Sequence, residues 1–288
     1  MTTAADLARI LDLKPVGTDR FLGYSPANGW RRVFGGQALA QALVAAERTV
    51  VGRLPHSLHA YFILAGDPEE PIAYEVERVR DGRSFTTRQV VARQHGDAIF
   101  AMLASFHIAE TGPEHAIARP AAPSPEDSFD FERAAEALPP RRGEQIRGLL
   151  ERIRPIEFRP TDVRRYLTGD AGGALKPSQT LWIRIRPSLP DDPAIQRAAL
   201  VYLSDMTLLD ASLAAHGHTI SDGSHQVASL DHALWLHRPA RADEWLLYVQ
   251  DSPNADGARG LTRGLLYALD GRLIASVAQE GLIRPRAP

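Results

Sequence analysis

Asp205 is an acidic residue in a strongly apolar segment of the chain. Residues 198–209 are apolar nearly all round a helix, and the carboxylate is flanked at helical spacing by Val201, Tyr202, Leu208 and Leu209. Burying a carboxylate without partners costs several kcal/mol, so Asp205 must be hydrogen-bonded, protonated or placed at a cavity. Two interpretations stay open at this point: a structural aspartate satisfied by backbone or hydroxyl groups, or a functional one.

Ser229 and Gln279 are polar residues in two apolar, strand-like segments. Neither is informative alone, because serine and glutamine often occupy strand positions. An internal repeat makes Gln279 more informative, since its counterpart 175 residues earlier is Ala104. The opening helix of the first copy likewise has no acid corresponding to Asp205. The sequence therefore predicts a functional asymmetry between the two copies.

Composition excludes several other kinds of chemistry. The chain has 288 residues and no cysteine, which excludes thiol nucleophiles, disulfides and cysteine-ligated metal sites. Tyr24-Ser25-Pro26 resembles a nucleophile elbow but lacks its last glycine and the preceding apolar strand, so we interpret it as a turn. His56 and His59 lie three apart in a strand-like run, where that spacing points them to opposite faces. We expect no metal and no cofactor.

The charge and hydropathy of the chain limit the kinds of partner that it can bind. The formal net charge is −2 and 44% of the residues are hydrophobic, as in an ordinary globular protein without a cationic field for nucleic acid. No stretch approaches the roughly 20 apolar residues of a membrane span. The first eight residues lack a basic region followed by an apolar one, and the last five are not a peroxisomal address. We therefore expect a cytoplasmic protein with no nucleic-acid partner.

The repeat divides the chain into two similar units. Residues 81–88 match residues 256–263, and the turn at 95–97 matches that at 270–272, both with an offset of 175. Residues 1–112 are predicted to form the first copy, 113–155 a linker with a short helix near 142–154, and 156–288 the second copy, with a further loop at 171–177. Such matched order indicates duplication of one domain.

Each copy is predicted to be one helix followed by strands. In the first, a helix opens at Gly35 and strands follow at 57–64, 72–77, 85–93 and 98–108. In the second, Asp192 caps a helix that begins at Pro193 and continues to about His216, with strands at 229–236, 244–250, 260–267 and 272–280. This pattern favours an α+β fold in which antiparallel strands wrap around a helix, with two units sharing one continuous sheet.

Seven short motifs, in order along the chain, resemble the type II acyl-CoA thioesterase family, whose fold is the double hotdog. They are residues 33–37 (VFGGQ), 56–62 (HSLHAYF), 80–85 (RDGRSF), 204–205 (SD), 230–232 (LDH), 235–239 (WLHRP) and 279–281 (QEG). The resemblance spans residues 10–284. It implies hydrolysis of fatty acyl-CoA to fatty acid and CoA by a water molecule that Asp205, Ser229 and Gln279 orient and activate.

The resemblance also implies a role for each of these residues. Asp205 would accept the proton, with a pKa raised by burial, while Ser229 and Gln279 would position the water. We expect the backbone N–H groups of Gly35 and Gly36 to serve as oxyanion donors, and His56 to support the site. The partners implied are acyl-CoA as substrate and further copies of the chain in a homodimer or homotetramer.

Two alternatives remain open from the sequence. A hotdog enoyl-CoA hydratase would place a histidine five residues after an aspartate, but the fifth residue after Asp170 is Leu175. A non-catalytic acyl-CoA-binding protein would be favoured by a broken Asp-Ser-Gln set, and all three residues are present.

Overall fold

A computed structural model describes residues 4–26, 31–137, 144, 147, 148, 150, 151, 153–162, 176–220 and 223–286. The first half of the chain forms α1 (Ala4–Leu11), β1 (Lys14–Gly17), β2 (Arg20–Gly23), α2 (Gly35–Glu47), β3 (Leu54–Phe62), β4 (Ile72–Asp81), β5 (Phe85–Gln94) and β6 (Asp97–His107). The connecting region and the second half form α3 (Phe131–Ala137), β7 (Ile156–Pro160), β8 (Ser178–Ile185), α4 (Pro193–Ser204), α5 (Leu208–Ala214), β9 (His225–Ser229), β10 (Asp231–Leu236), β11 (Leu246–Asp256), β12 (Arg259–Ala268) and β13 (Leu273–Pro285).

One antiparallel sheet joins the two halves, as the sequence predicts. Its strand order is β1-β2-β4-β5-β6-β3-β10-β13-β12-β11-β8-β7, with β9 paired to β13. The halves meet where β3 pairs with β10, with Leu58 opposite Leu234. Both of these leucines are fully buried and belong to a single core cluster that includes residues of α2 and α4. The two central helices therefore share one apolar core.

The helix α2 begins at Gly35 and α4 begins at Pro193, both as predicted. Asp192 caps α4 by accepting a hydrogen bond from the Ala194 N–H at 2.8 Å. The strands β3 to β6 and β11 to β13 occupy the predicted segments, because the alternation of buried and exposed side chains along them is a local signal. In the part of the chain that the structure describes, no helix is long and apolar enough to cross a membrane.

Two predictions about the second half are wrong. The helix expected to run unbroken to about His216 ends at Ser204 and resumes as α5 at Leu208, because Thr207 adopts the left-handed conformation with φ of 67°. The strand expected at 229–236 is two strands, β9 and β10, separated at Leu230. Asp205 lies in the first interruption, outside the helix that the sequence predicts for it, and Ser229 is the last residue of β9, next to the second interruption.

Several elements of the structure are absent from the sequence-based prediction. The structure adds α1, β1, β2, α3, β7 and β8 to the predicted elements. In the predicted linker helix near residues 142–154, the described residues 144, 147, 148, 150, 151 and 153 are helical. The predicted loop at 171–177 lies outside the described residues except for 176 and 177. Asp170 and Leu175, on which the hydratase comparison depends, also lie outside them.

Candidate active site

Asp205 lies where the end of one central helix meets the start of the other. It follows the last residue of α4, and its carboxylate Oδ2 accepts a hydrogen bond from the backbone N–H of Gly36 at 2.9 Å. Gly36 is the second residue of α2, so the carboxylate faces the positive end of that helix dipole. The two halves of the chain thus share one site, with the acid from the second half bound to the first.

Ser229 and Gln279 complete a continuous chain of contacts with Asp205. The Ser229 hydroxyl donates to Asp205 Oδ1 at 3.5 Å, and the Gln279 Nε2 group donates to Ser229 Oγ at 2.8 Å. Ser229 ends β9 opposite Gly281, and Gln279 precedes Gly281 by two residues on β13. The structure therefore brings together all three residues that the sequence predicts to be catalytic.

The break between α4 and α5 is held by two glutamines that sequence reasoning did not identify. The Gln179 side chain, on β8, donates to the Thr207 carbonyl oxygen at 2.7 Å. Gln250, on β11, donates through Nε2 to Thr207 Oγ1 at 3.0 Å and to the Met206 carbonyl oxygen at 3.3 Å. These bonds satisfy backbone groups that the broken helix leaves without helical partners, and so place Asp205 beside Gly36.

His232 and Ser204 form a second layer of contacts behind Gln279. His232 Nδ1 lies 2.6 Å from Gln279 Oε1, and His232 Nε2 lies 3.0 Å from Ser204 Oγ. Both side chains are buried. His232 belongs to the LDH motif and Ser204 to the SD motif, yet the sequence assigned neither a role because a buried histidine carries no chemical signal of its own.

Burial sets the protonation behaviour of the two ionisable side chains. Desolvation raises the pKa of Asp205 to about 7, although the hydrogen bonds from Gly36, Gln279 and Ser229 oppose that rise. Desolvation lowers the pKa of His232 to about 4, so the imidazole is neutral near pH 7. A carboxylate that exchanges its proton near neutral pH is suited to general base catalysis.

Gly35 and Gly36 allow the helix start to approach the acid closely. A Cβ on Gly35 would lie 2.7 Å from Asp205 Oδ2, and a Cβ on Gly36 would lie 2.2 Å from the Tyr202 carbonyl oxygen. Only glycine therefore fits this junction without a shift of backbone. Because the Gly36 N–H is bonded to Asp205, it is engaged by the acid in this structure and is not directed at a substrate oxyanion.

The structure places His56 away from Asp205. Its Nε2 atom lies 2.9 Å from Ser105 Oγ, and its ring packs edge-on against Phe85 and His107. Burial and the neighbouring His107 lower the pKa of His56. His56 thus contacts a separate aromatic cluster, and none of its recorded partners is Asp205, Ser229 or Gln279.

The site is built from a carboxylate, a hydroxyl and a primary amide. Among the residues described above, no group of three histidine or acidic side chains is arranged to hold a metal ion. The arrangement can bind a water molecule through Ser229 and Gln279 and accept its proton at Asp205. Such a site suits addition of water to an electrophilic carbonyl.

Comparison with known proteins finds the same family in both halves. A family profile described as acyl-CoA thioesterase matches residues 149–282, and one described as acyl-CoA thioesterase N-terminal domain matches residues 25–107. Acyl-CoA thioesterase 2 of Haemophilus influenzae is 38% identical over 97% of both chains. The crystal structure of the acyl-CoA thioesterase II TesB2 from Mycobacterium marinum is 42% identical, with 98% and 99% of the chains covered and a TM-score of 0.79.

A more distant structure supports the fold alone. A conserved protein with a hot dog fold from Alicyclobacillus acidocaldarius aligns over 98% of both chains with a TM-score of 0.74, at 20% identity. The predicted double-hotdog α+β fold is confirmed by these structures together with the single antiparallel sheet.

Proposed function

This chain belongs to the acyl-CoA thioesterase family, and from that premise we propose that Asp205, Ser229 and Gln279 carry out its hydrolysis of acyl-CoA. The chain is an acyl-CoA thioester hydrolase, which sets aside the hydratase and the non-catalytic binding protein as alternatives. The observation that carries the proposal is the unbroken contact chain from Gly36 through Asp205 and Ser229 to Gln279.

The proposed reaction is direct attack by water on the thioester carbonyl. Asp205 Oδ1, which faces Ser229, accepts a proton as the water oxygen bonds to the carbonyl carbon. The tetrahedral intermediate then expels the CoA thiolate, and the proton held by Asp205 passes to the leaving sulfur. The products are a carboxylic acid and free CoA, and Asp205 returns to its ionised form.

Ser229 and Gln279 would hold the attacking water beside Asp205. One N–H of the Gln279 amide is donated to Ser229 Oγ; Gln279 also donates to Asp205, so the bound water would share the second N–H with that carboxylate. Ser229 donates its hydroxyl hydrogen bond to Asp205 and so keeps the carboxylate oriented. This positioning converts a loosely held water into one that is aligned for attack.

Replacing Ser229 by alanine is expected to lower kcat about 10- to 100-fold, because the bridge between Gln279 and Asp205 is lost and the water is misplaced. Release of free CoA thiol, followed with a chromogenic thiol reagent over short to long acyl chains, measures the effect. Ser229→Thr is the matched control, since it keeps the hydroxyl and should stay within about fivefold of the unmodified protein. Equal loss in both variants would contradict a role for the hydroxyl.

Mass spectrometry of the enzyme quenched during turnover separates direct water attack from a covalent route. Direct attack predicts no acyl adduct on any residue. An acyl group on Ser229 or Asp205 would contradict the proposal.

We also propose that copies of the chain associate into a homodimer or homotetramer. The outer face of the sheet exposes an apolar patch formed by Tyr61, Leu103 and Trp235, with the Trp235 ring packed edge-on to His59. Patches of this kind on an uncovered sheet face favour association. Light scattering after size-exclusion chromatography is expected to give a mass of two or four chains, and a monomer at all concentrations would contradict it.

The internal repeat also supports a proposal for where the two domains of the chain begin and end. We propose that residues 1–112 and 156–288 are two copies of one hotdog unit and that residues 113–155 link them. The Pro123 carbonyl oxygen, within this linker, accepts a hydrogen bond from Trp182 Nε1 at 2.8 Å. At Pro123 the linker therefore contacts the sheet of the second copy.

A further inference from the structure

The hydrogen bonds that Gln279 can make in the active site depend on which end of its amide faces Ser229. The oxygen and the NH2 group of a glutamine amide are nearly equal in size, so the hydrogen-bond network around them decides the orientation. With the NH2 group toward Ser229, the side chain donates to the hydroxyl and has a second N–H on the side of Asp205 and the attacking water. Turned over, it would present only an acceptor there.

His232 determines this orientation through its Nδ1 atom. Gln279 Oε1 lies 2.6 Å from His232 Nδ1, and both side chains are 1% exposed, so water cannot replace either partner. An amide oxygen can only accept a hydrogen bond, and His232 must therefore carry a proton on Nδ1. The Asp205 Oδ1 atom lies 3.9 Å from the same nitrogen and favours a proton at that position.

Ser204 faces the other ring nitrogen. Its hydroxyl donates its one proton to the Val201 carbonyl oxygen at 2.8 Å, and its Oγ atom lies 3.0 Å from His232 Nε2. The Tyr248 hydroxyl donates to the Ser204 carbonyl oxygen at 2.6 Å and anchors this residue at the end of α4.

We propose that His232 is a positioning residue that fixes the Gln279 amide with its NH2 group toward Ser229. The inference rests on the proposed function, because it gives His232 its effect only through Gln279. It extends the site from three side chains to four and joins β10 to β13.

The test is a double-mutant cycle between His232 and Gln279. His232→Leu removes the Nδ1 donor and is expected to lower kcat about 10-fold, with KM within about twofold of that of the unmodified protein. His232→Asn retains an N–H group close to the Nδ1 position and should recover most of that loss. In the Gln279→Ala background, His232→Leu is expected to lower kcat by less than about twofold, since the amide is already absent.

Thermal unfolding of each variant controls for structure. A purely structural histidine would lower kcat by the same factor with Gln279 or with alanine at 279, and asparagine would not rescue it; either result overturns the inference. Unchanged activity of Gln279→Ala alone would overturn the proposed function instead, so the two failures are distinguishable. Should His232→Leu not fold, His232→Ala enters the same cycle, with a loss of about 10-fold expected only when Gln279 is present.

Discussion

Replacement of Asp205 by asparagine is expected to lower kcat for acyl-CoA hydrolysis by roughly 10²–10⁴-fold, the usual contribution of a positioned general base. The asparagine side chain has the same shape and can still accept the Gly36 N–H through its oxygen. It cannot take a proton from water at neutral pH. The change therefore removes the proton acceptor and leaves the junction of α2 and α4 in place.

Thiol release and substrate binding must be measured together on this variant. The chain contains no cysteine, so a chromogenic thiol reagent detects only the CoA produced. Calorimetric titration of Asp205→Asn with a slowly hydrolysed acyl-CoA is expected to give a Kd within about threefold of that of the unmodified enzyme, because a base that acts in the transition state adds little to ground-state binding.

Asp210→Asn is the matched control for the same measurement. Asp210 is the next aspartate along the chain, in the first turn of α5, and is half-buried. Its conversion to the amide should leave kcat within about twofold of the starting value, because surface and half-buried changes away from the site have small effects. Turnover by Asp205→Asn at the unmodified rate would exclude Asp205 as the base.

The local pattern of the sequence predicts the sheet and the starts of both central helices. Strand alternation and the Asp192-Pro193 cap are signals carried by neighbouring residues, and the structure agrees with them. The continuous sheet also follows from duplication, since two half-buried sheets of the same kind can share an edge. The resemblance carried by the seven motifs also predicts that Asp205 acts together with Ser229 and Gln279, which lie far from it in the chain.

The break at Thr207 could not be predicted in this way. The residues from 198 to 209 have a helical pattern throughout, and threonine is not a residue that favours a positive φ. Contacts with Gln179 and Gln250, which are 28 and 43 residues away, stabilise the left-handed conformation. Long-range hydrogen bonds override local propensity here, and they convert a mid-helix aspartate into one at a helix end.

The hydrogen bond between Gly36 and Asp205 could not be predicted from the sequence either. Gly36 is 169 residues away and was expected to bind an oxyanion of the substrate. The structure instead shows its N–H group bonded to the carboxylate. The role of His232 is also set by a tertiary contact, since its Nδ1 atom faces Gln279, which is 47 residues away.

The same Asp205→Asn variant is expected to be more stable than the unmodified protein at alkaline pH. The native pKa of Asp205 is raised from 3.8 to about 7 by burial. Between these values the unfolded chain is ionised while the native carboxyl retains its proton, so ionisation favours unfolding as the pH rises. The destabilisation is absent below about pH 4, grows through the range from 4 to 7 and is complete above it.

A shift of this size corresponds to about 4 kcal/mol at full ionisation, at about 1.4 kcal/mol for each pKa unit. Urea unfolding of both proteins from pH 4.5 to 8.5 measures it as a difference in the free energy of unfolding. Asparagine has no ionisation, so the difference in favour of the variant should widen by up to several kcal/mol across this range. His232, whose pKa is lowered to about 4, contributes its own pH dependence equally to both proteins and cancels in the difference.

If the difference in the free energy of unfolding between the variant and the unmodified protein does not change with pH, the Asp205 carboxyl has the same pKa in the native state as in the unfolded chain. If the difference in the free energy of unfolding widens with pH and Asp205→Asn also loses turnover, then burial of this one carboxylate both destabilises the fold and provides the base for hydrolysis. Stronger solvation of the carboxylate would stabilise the fold but lower the pKa and weaken the base. The instability of the ionised carboxylate is therefore the property that allows Asp205 to accept a proton from water near neutral pH.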